Sequence, residues 1–127
     1  MKKMIDFTNK EIFKLKPTSI NDVESMVNFI LASDEEIKFA FTSMRDKLVF
    51  TNKRVLSVNV QGITGREVDY TSIPYTKIQA FSIETSGTFD ISSKVEITVI
   101  GLGSVIFELT PQTDIKSLGR CLSEYIL

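Results

Sequence analysis

The chain has 127 residues, fifteen basic against sixteen acidic side chains for a net charge of −1, one cysteine and no histidine. That length fits one domain able to bury a core without metal or disulfide staples, and the balanced charge offers no field to gather nucleic acid or an anionic bilayer. The missing histidines exclude His-dependent triads and zinc-hydrolase sites, and the lone Cys121 makes no internal disulfide.

The start, MKKMIDFTNKEIF, has lysines but no apolar core of signal-peptide length. No apolar run reaches the ~18 residues of a membrane span. A soluble, cytoplasmic domain is expected. Residues 1–18 are mixed and charged, a segment without an assigned role; 10–15 can form a short helix that Pro17 would stop. A single domain is expected over 19–127, with a helix in 19–33, a sheet over 36–110 and a helix in 113–127. Ser19 and Asp22 have the spacing of a capping box, and Val23, Met26, Val27, Ile30 and Leu31 recur at helical spacing, predicting a helix over 20–32. Asp34, Glu35 and Glu36 form its exit.

From Glu36 the period changes to two. Ile37, Phe39 and Phe41 alternate with Lys38, Ala40 and Thr42, as in a half-buried strand. Arg45 and Asp46 turn the chain into a short strand, Leu48-Val49-Phe50, which ends at Thr51-Asn52-Lys53-Arg54. Leu56, Val58 and Val60 mark the next strand, and Gly62 and Gly65 the turn after it. Val68 and Tyr70 alternate with Glu67, Asp69 and Thr71 until Pro74 stops the ladder. A fifth strand covers 78–85, followed by a loop over 86–90. Val95, Ile97 and Val99 alternate cleanly with Lys94, Glu96 and Thr98, and Val105, Phe107 and Leu109 make a seventh strand. Beyond Pro111, Thr113 is a candidate N-cap, and Ile115, Leu118, Leu122 and Tyr125, with Cys121 beside them, give one helical apolar face. Gly119 inside that helix costs about 1 kcal/mol against Ala; its missing side chain lets the helix approach a sheet.

Seven antiparallel strands and a C-terminal helix are the order of the pleckstrin-homology (PH) fold, a bent sandwich closed at one end. The text is more specific than the topology. VFTNKR, QGITG, YTSIPY and FSIET fall in an order and spacing that resembles the bacterial PH-like family, over about residues 20–127. The fold class implied is mainly β (α+β): a seven-stranded bent sandwich or barrel with a capping C-terminal helix and an N-terminal helix. The resemblance also implies ring-shaped homo-oligomers and a function that is poorly defined.

Two readings compete for the bases of the TNKR turn. Lys53 and Arg54, with Arg45 in the first hairpin, are candidate anion contacts, since phosphoinositide-binding PH domains place bases around that hairpin. Asp46, however, offsets one base there, and hairpin punctuation is the favoured reading. Neither Gly62-Ile63-Thr64-Gly65 nor Gly101-Leu102-Gly103 has the phosphate-cradling spacing or opens a helix. Carboxylates Glu67, Asp69, Glu84 and Asp90 read as solvated, and Cys121 as a buried thiol, so no enzyme, cofactor or metal site is expected. Phe89 and Ile91, in or beside the 86–92 loop, and Tyr75, after Pro74, are candidate partner contacts. So is Ile106, on the outward phase of 105–109, the strand taken as the best candidate for an unguarded edge. A non-catalytic interaction module that self-assembles is the leading reading. A binding domain for a lipid head group or other small ligand is the alternative. Self-association is the expected partnership, with an unidentified protein as a second candidate and neither nucleic acid nor phosphoinositide membranes expected.

Overall fold

A computed structural model describes residues 4–62, 64, 66–85 and 91–127. Among these, eight strands and two α-helices follow in the order β1 (Ile12–Pro17), α1 (Ile20–Val27), β2 (Ile37–Thr42), β3 (Asp46–Thr51), β4 (Arg54–Gln61), β5 (Glu67–Pro74), β6 (Ile78–Glu84), β7 (Ser93–Val99), β8 (Gly103–Leu109) and α2 (Ile115–Ile126). A 3-10 turn, Tyr75–Lys77, joins β5 to β6. The strands form one curled sheet ordered β5-β4-β3-β2-β1-β8-β7-β6. The seven expected strands and the final helix are all present, and the eighth strand is new.

That strand corrects the reading of residues 10–15 as a helix. Ile12–Pro17 runs parallel to β8, with Ile12 opposite Ile106 and Leu15 opposite Leu109. It then turns antiparallel to β2, with Lys16 opposite Thr42. Leu15 is buried and Phe13 packs on the core, so a tertiary partner on each side overrides a weak local preference. Ahead of it, Ile5 and Phe7 are buried in the same core. Gly103 makes room for them: a Cβ there would sit 2.5 Å from the Phe7 carbonyl oxygen, and its φ is +130°.

The concave face holds the main core, built from Phe41, Leu48, Phe50, Val55, Ile73, Val95, Ile97, Val105, Phe107 and Leu109, and closed by Leu118 and Leu122 of α2. The clean alternation of β7 and β8 lies where the sequence put it. Gly119 faces Ile83 of β6, where a Cβ would meet Ile83 Cδ1 at 3.2 Å, so the helix sits close to the sheet as expected. Its N-cap is Asp114, whose carboxylate accepts from the Ser117 N–H at 3.2 Å, rather than Thr113.

A second, smaller cluster lies on the convex face. Val23 and Val27 of α1 cover Ile37, Ala40, Val49, Leu56 and Val58, with Tyr70 packed alongside. The helix is shorter than expected, ending at Val27. Apolar cover on both faces explains where alternation misled. Leu56 and Val58 face α1, while Ser57 and Asn59 are buried on the concave side. A register shift in β2 between Ile37 and Phe39 puts Ile37 with Ala40 on the convex face and leaves Phe41 on the concave one.

Candidate functional site

The bases singled out in the sequence do not converge. Lys53 and Arg54 lie at the β3–β4 turn, whereas Arg45 lies at the β2–β3 turn, the other end of β3. There its guanidinium donates to the Gly62 carbonyl at 2.6 Å. At the β3–β4 turn every base already has a partner. Arg54 donates to both oxygens of Glu35 at 2.6 and 2.8 Å, to Ser72 Oγ at 2.8 Å and to the Ile30 carbonyl at 2.8 Å. Lys53 pairs with Asp34 at 3.1 Å. The acidic exit of α1 neutralises the turn.

The rest of the turn is tied as firmly. Thr51 Oγ1 donates to Glu35 at 2.6 Å and accepts from the Lys53 and Arg54 N–H groups. Asn52 accepts from the Glu36 N–H at 2.8 Å through its side chain, and its own N–H donates to the Glu36 carbonyl. Glu35 has a fully buried side chain. The Arg54 hydrogen bonds hold its carboxyl down at about 2 against the opposing effect of burial, with Thr51 assisting. Two of the sequence signatures, VFTNKR and YTSIPY, meet here, because Tyr75 donates its hydroxyl to the Thr51 carbonyl at 2.7 Å. The turn is a structural knot.

Tyr75 is therefore not a partner contact. It is 3% exposed and stacks on Tyr125 of α2 with ring centroids 5.7 Å apart. Burial pushes its phenol pKa up, and burial likewise raises that of Cys121, which lies in the core face of α2. Pro74 closes β5 but leaves the next side chain buried. Ile106 is also corrected: β8 lies between β1 and β7, so no edge exists there, and the N-terminal segment supplies the cover. Ile91 is 53% exposed, and Phe89 and Asp90 lie outside the described residues.

The carboxylates stay dispersed. Glu67 is exposed, whereas Asp69 is half-buried on the concave face beside Asn59, accepting from Thr71 Oγ1. That corrects its placement on the solvent face. Asn59 donates to Asp46 at 3.2 Å and accepts from Ser57 at 3.2 Å, so this end of the concave face is a closed polar set. Among the described residues no group of three or more carboxylate, thiol or imidazole side chains could hold a metal ion.

The sequence missed both ends of the sheet and two clefts. The sheet ends at β5 and β6 rather than at β8. Beside β5, Phe29 is 70% exposed and meets Tyr70 edge to face at 4.9 Å, with Val68 exposed on the same strand. The signal for β6 was present: Ile-Gln-Ala-Phe-Ser-Ile-Glu contains no lysine and no proline. Two clefts complete the surface. One, of about 430 Å³, lies between the end of β5 and the β7–β8 hairpin and is mostly apolar, with Phe7, Ile73, Ile100 and Leu102 among its walls. The other, of about 610 Å³, lies where β1 passes from β8 to β2.

Residues 6–126 match the family model described as "Bacterial PH domain". Over 79 residues the chain is 43% identical to the uncharacterized protein YjqA of Bacillus subtilis (strain 168), an alignment spanning 62% of this chain and 63% of that relative. It is similar in structure to a DUF1696-family protein with a pleckstrin-homology domain from Shewanella loihica PV-4, at 29% identity and TM-score 0.78 over 91% of this chain and 99% of that one. A pleckstrin-homology domain from Shewanella amazonensis SB2B matches at 33% identity and TM-score 0.66, covering 87% and 90% of the two chains. A PH-domain-containing protein from Exiguobacterium sibiricum 255-15 shares the fold at 20% identity and TM-score 0.68, covering 89% of this chain and 62% of that one. The matched region begins at residue 6, so it takes in β1, well before the start of the signatures in the sequence.

Proposed function

The chain belongs to the bacterial PH domain family, and from that premise we propose that it is a non-catalytic interaction module whose copies assemble edge to edge into a closed, ring-shaped homo-oligomer. The observation that carries this reading is β6. It ends the sheet, its outward side chains Ala80 and Ser82 are small and exposed, and it lacks the lysines and prolines that natural edges use against pairing. The other end of the sheet, β5, is a different surface, bordered by the Phe29–Tyr70 pair. Two unlike edges on one subunit favour head-to-tail contacts, which close into rings when the rotation permits.

Light scattering across concentration tests the reading on the full chain and on the double variant Ala80→Lys/Ser82→Lys. A mass several times 14.3 kDa is expected for the native chain, and a monomer with unchanged melting for the variant. A monodisperse native monomer at micromolar concentration would sink self-assembly. An assembled variant would move the interface away from β6.

A further inference from the structure

We propose that the apolar cleft between the end of β5 and the β7–β8 hairpin binds a small carboxylic acid with an apolar tail, its carboxylate meeting Lys77. The cleft measures about 430 Å³, within the roughly 300–1,000 Å³ that small-molecule sites occupy. Buried Phe7, Ile73 and Val99 form its floor, and Met4, Ile100 and Leu102 stand exposed around them. Large apolar side chains exposed singly are ordinary on a protein surface, but several gathered around one hollow mark a place where apolar matter can be buried.

The walls are fixed without a ligand. The Ile100 N–H donates to the Lys77 carbonyl at 3.0 Å, which ties the β7–β8 hairpin to the 3-10 turn, and the Leu102 N–H closes the hairpin on the Val99 carbonyl at 3.1 Å. On the N-terminal side the Phe7 carbonyl accepts from the Ser104 N–H at 3.0 Å, an approach that the bare Gly103 permits. A cleft formed in advance loses little free energy to ordering when a ligand enters.

The polar groups of the walls choose the head group. Two are already committed, since Thr71 Oγ1 donates to Asp69 and Ser72 Oγ accepts from Arg54 at 2.8 Å. Among the described residues the side chains of Thr76 and Lys77 have neither an ion pair nor a hydrogen bond, and no carboxylate lines the cleft. Lys77 is thus the one charge among the lining residues, set at the margin of an apolar hollow. One ammonium and one hydroxyl match the two oxygens of a carboxylate, whereas the more numerous acceptors of a phosphate would go short of donors. The proposal goes beyond self-assembly. No residue of β6 lines this cleft, so the two readings stand or fall separately.

The test follows the methyl NMR signals of labelled methionines in the full chain, titrated with octanoate below its micelle-forming concentration. Met4 borders this cleft, Met44 borders the cleft beside β1, and Met26 packs with the cluster under α1. A saturable shift of Met4 is expected while Met26 and Met44 stay in place. Octanol, with the same tail and no charge, should bind at least about tenfold more weakly, the scale of one lost charge-assisted hydrogen bond. Lys77→Gln should lose the same factor for octanoate, bind octanol as the native chain does and melt unchanged. Butyrate, with the same head group and a shorter tail, should also bind more weakly, because each methylene taken from the apolar walls removes transfer free energy. Equal affinity for octanoate and octanol, or native octanoate binding by Lys77→Gln, would overturn the carboxylate contact. Equal affinity for butyrate, a Met44 shift that parallels Met4, or a titration without saturation would overturn the site.

Discussion

The β3–β4 turn and the β6 edge make an instructive pair. The turn carries two adjacent bases and an asparagine, the conspicuous chemistry of the sequence, yet its polar atoms are already matched by Glu35, Asp34 and the Tyr75 hydroxyl. The edge, Ile-Gln-Ala-Phe-Ser-Ile-Glu, carries no base and nothing to draw the eye, yet it ends the sheet. Charge at this turn is spent on internal closure, because an arginine fork satisfied by a buried carboxylate and two carbonyl or hydroxyl oxygens has little left to offer a ligand. A strand flank without lysine or proline, in contrast, has backbone groups that a second strand can pair.

The contrast breaks most directly at Glu35. Glu35→Ala leaves the Arg54 guanidinium largely buried without its counter-ion and should cost about 3–5 kcal/mol in urea unfolding. A loss below about 1 kcal/mol would mean that the turn is not a knot. The same carboxylate gives a pH signature. Its folded pKa is about 2 against an ordinary 4.5, so its contribution is complete above pH 4.5 and is lost as pH falls toward 2. The native chain should therefore lose stability through that window, and Glu35→Gln should show a flatter acid limb; parallel limbs would refute the assignment.

Tyr75→Phe tests the link from the turn to α2 more gently. It removes the hydrogen bond to the Thr51 carbonyl but keeps the ring on Tyr125, and a loss of about 1 kcal/mol is expected from chemical denaturation. No change at all would mean that a water replaces the hydroxyl without penalty. The smallest effect belongs to the most visible charge. Lys53→Ala breaks a solvent-exposed pair with Asp34 and should shift stability by less than about 0.5 kcal/mol. A larger loss would show that the outer charges of the turn carry weight that their exposure does not suggest.

Much of this fold was legible because strands β7 and β8 and helix α2 are covered on one face only. Val95, Ile97 and Val99, or Leu118 and Leu122, then report their burial through simple periodicity. The signatures VFTNKR and YTSIPY were also recognisable, and their turns formed as expected. What the sequence could not settle depends on which faces acquire cover. Strand β4 is covered on both, so Leu56 and Val58 turned to α1 while Ser57 and Asn59 went to the concave side. Residues 12–17 became a strand because β8 and β2 offered ladders on either side, and no local preference encodes a neighbour about ninety residues away. That one placement also covered β8 and β2, took Ile106 off the edge and opened the cleft where β1 passes from β8 to β2. Composition and period determined the seven strands from residue 37 onward and the final helix. Long-range strand pairing alone decided which of their surfaces remain available.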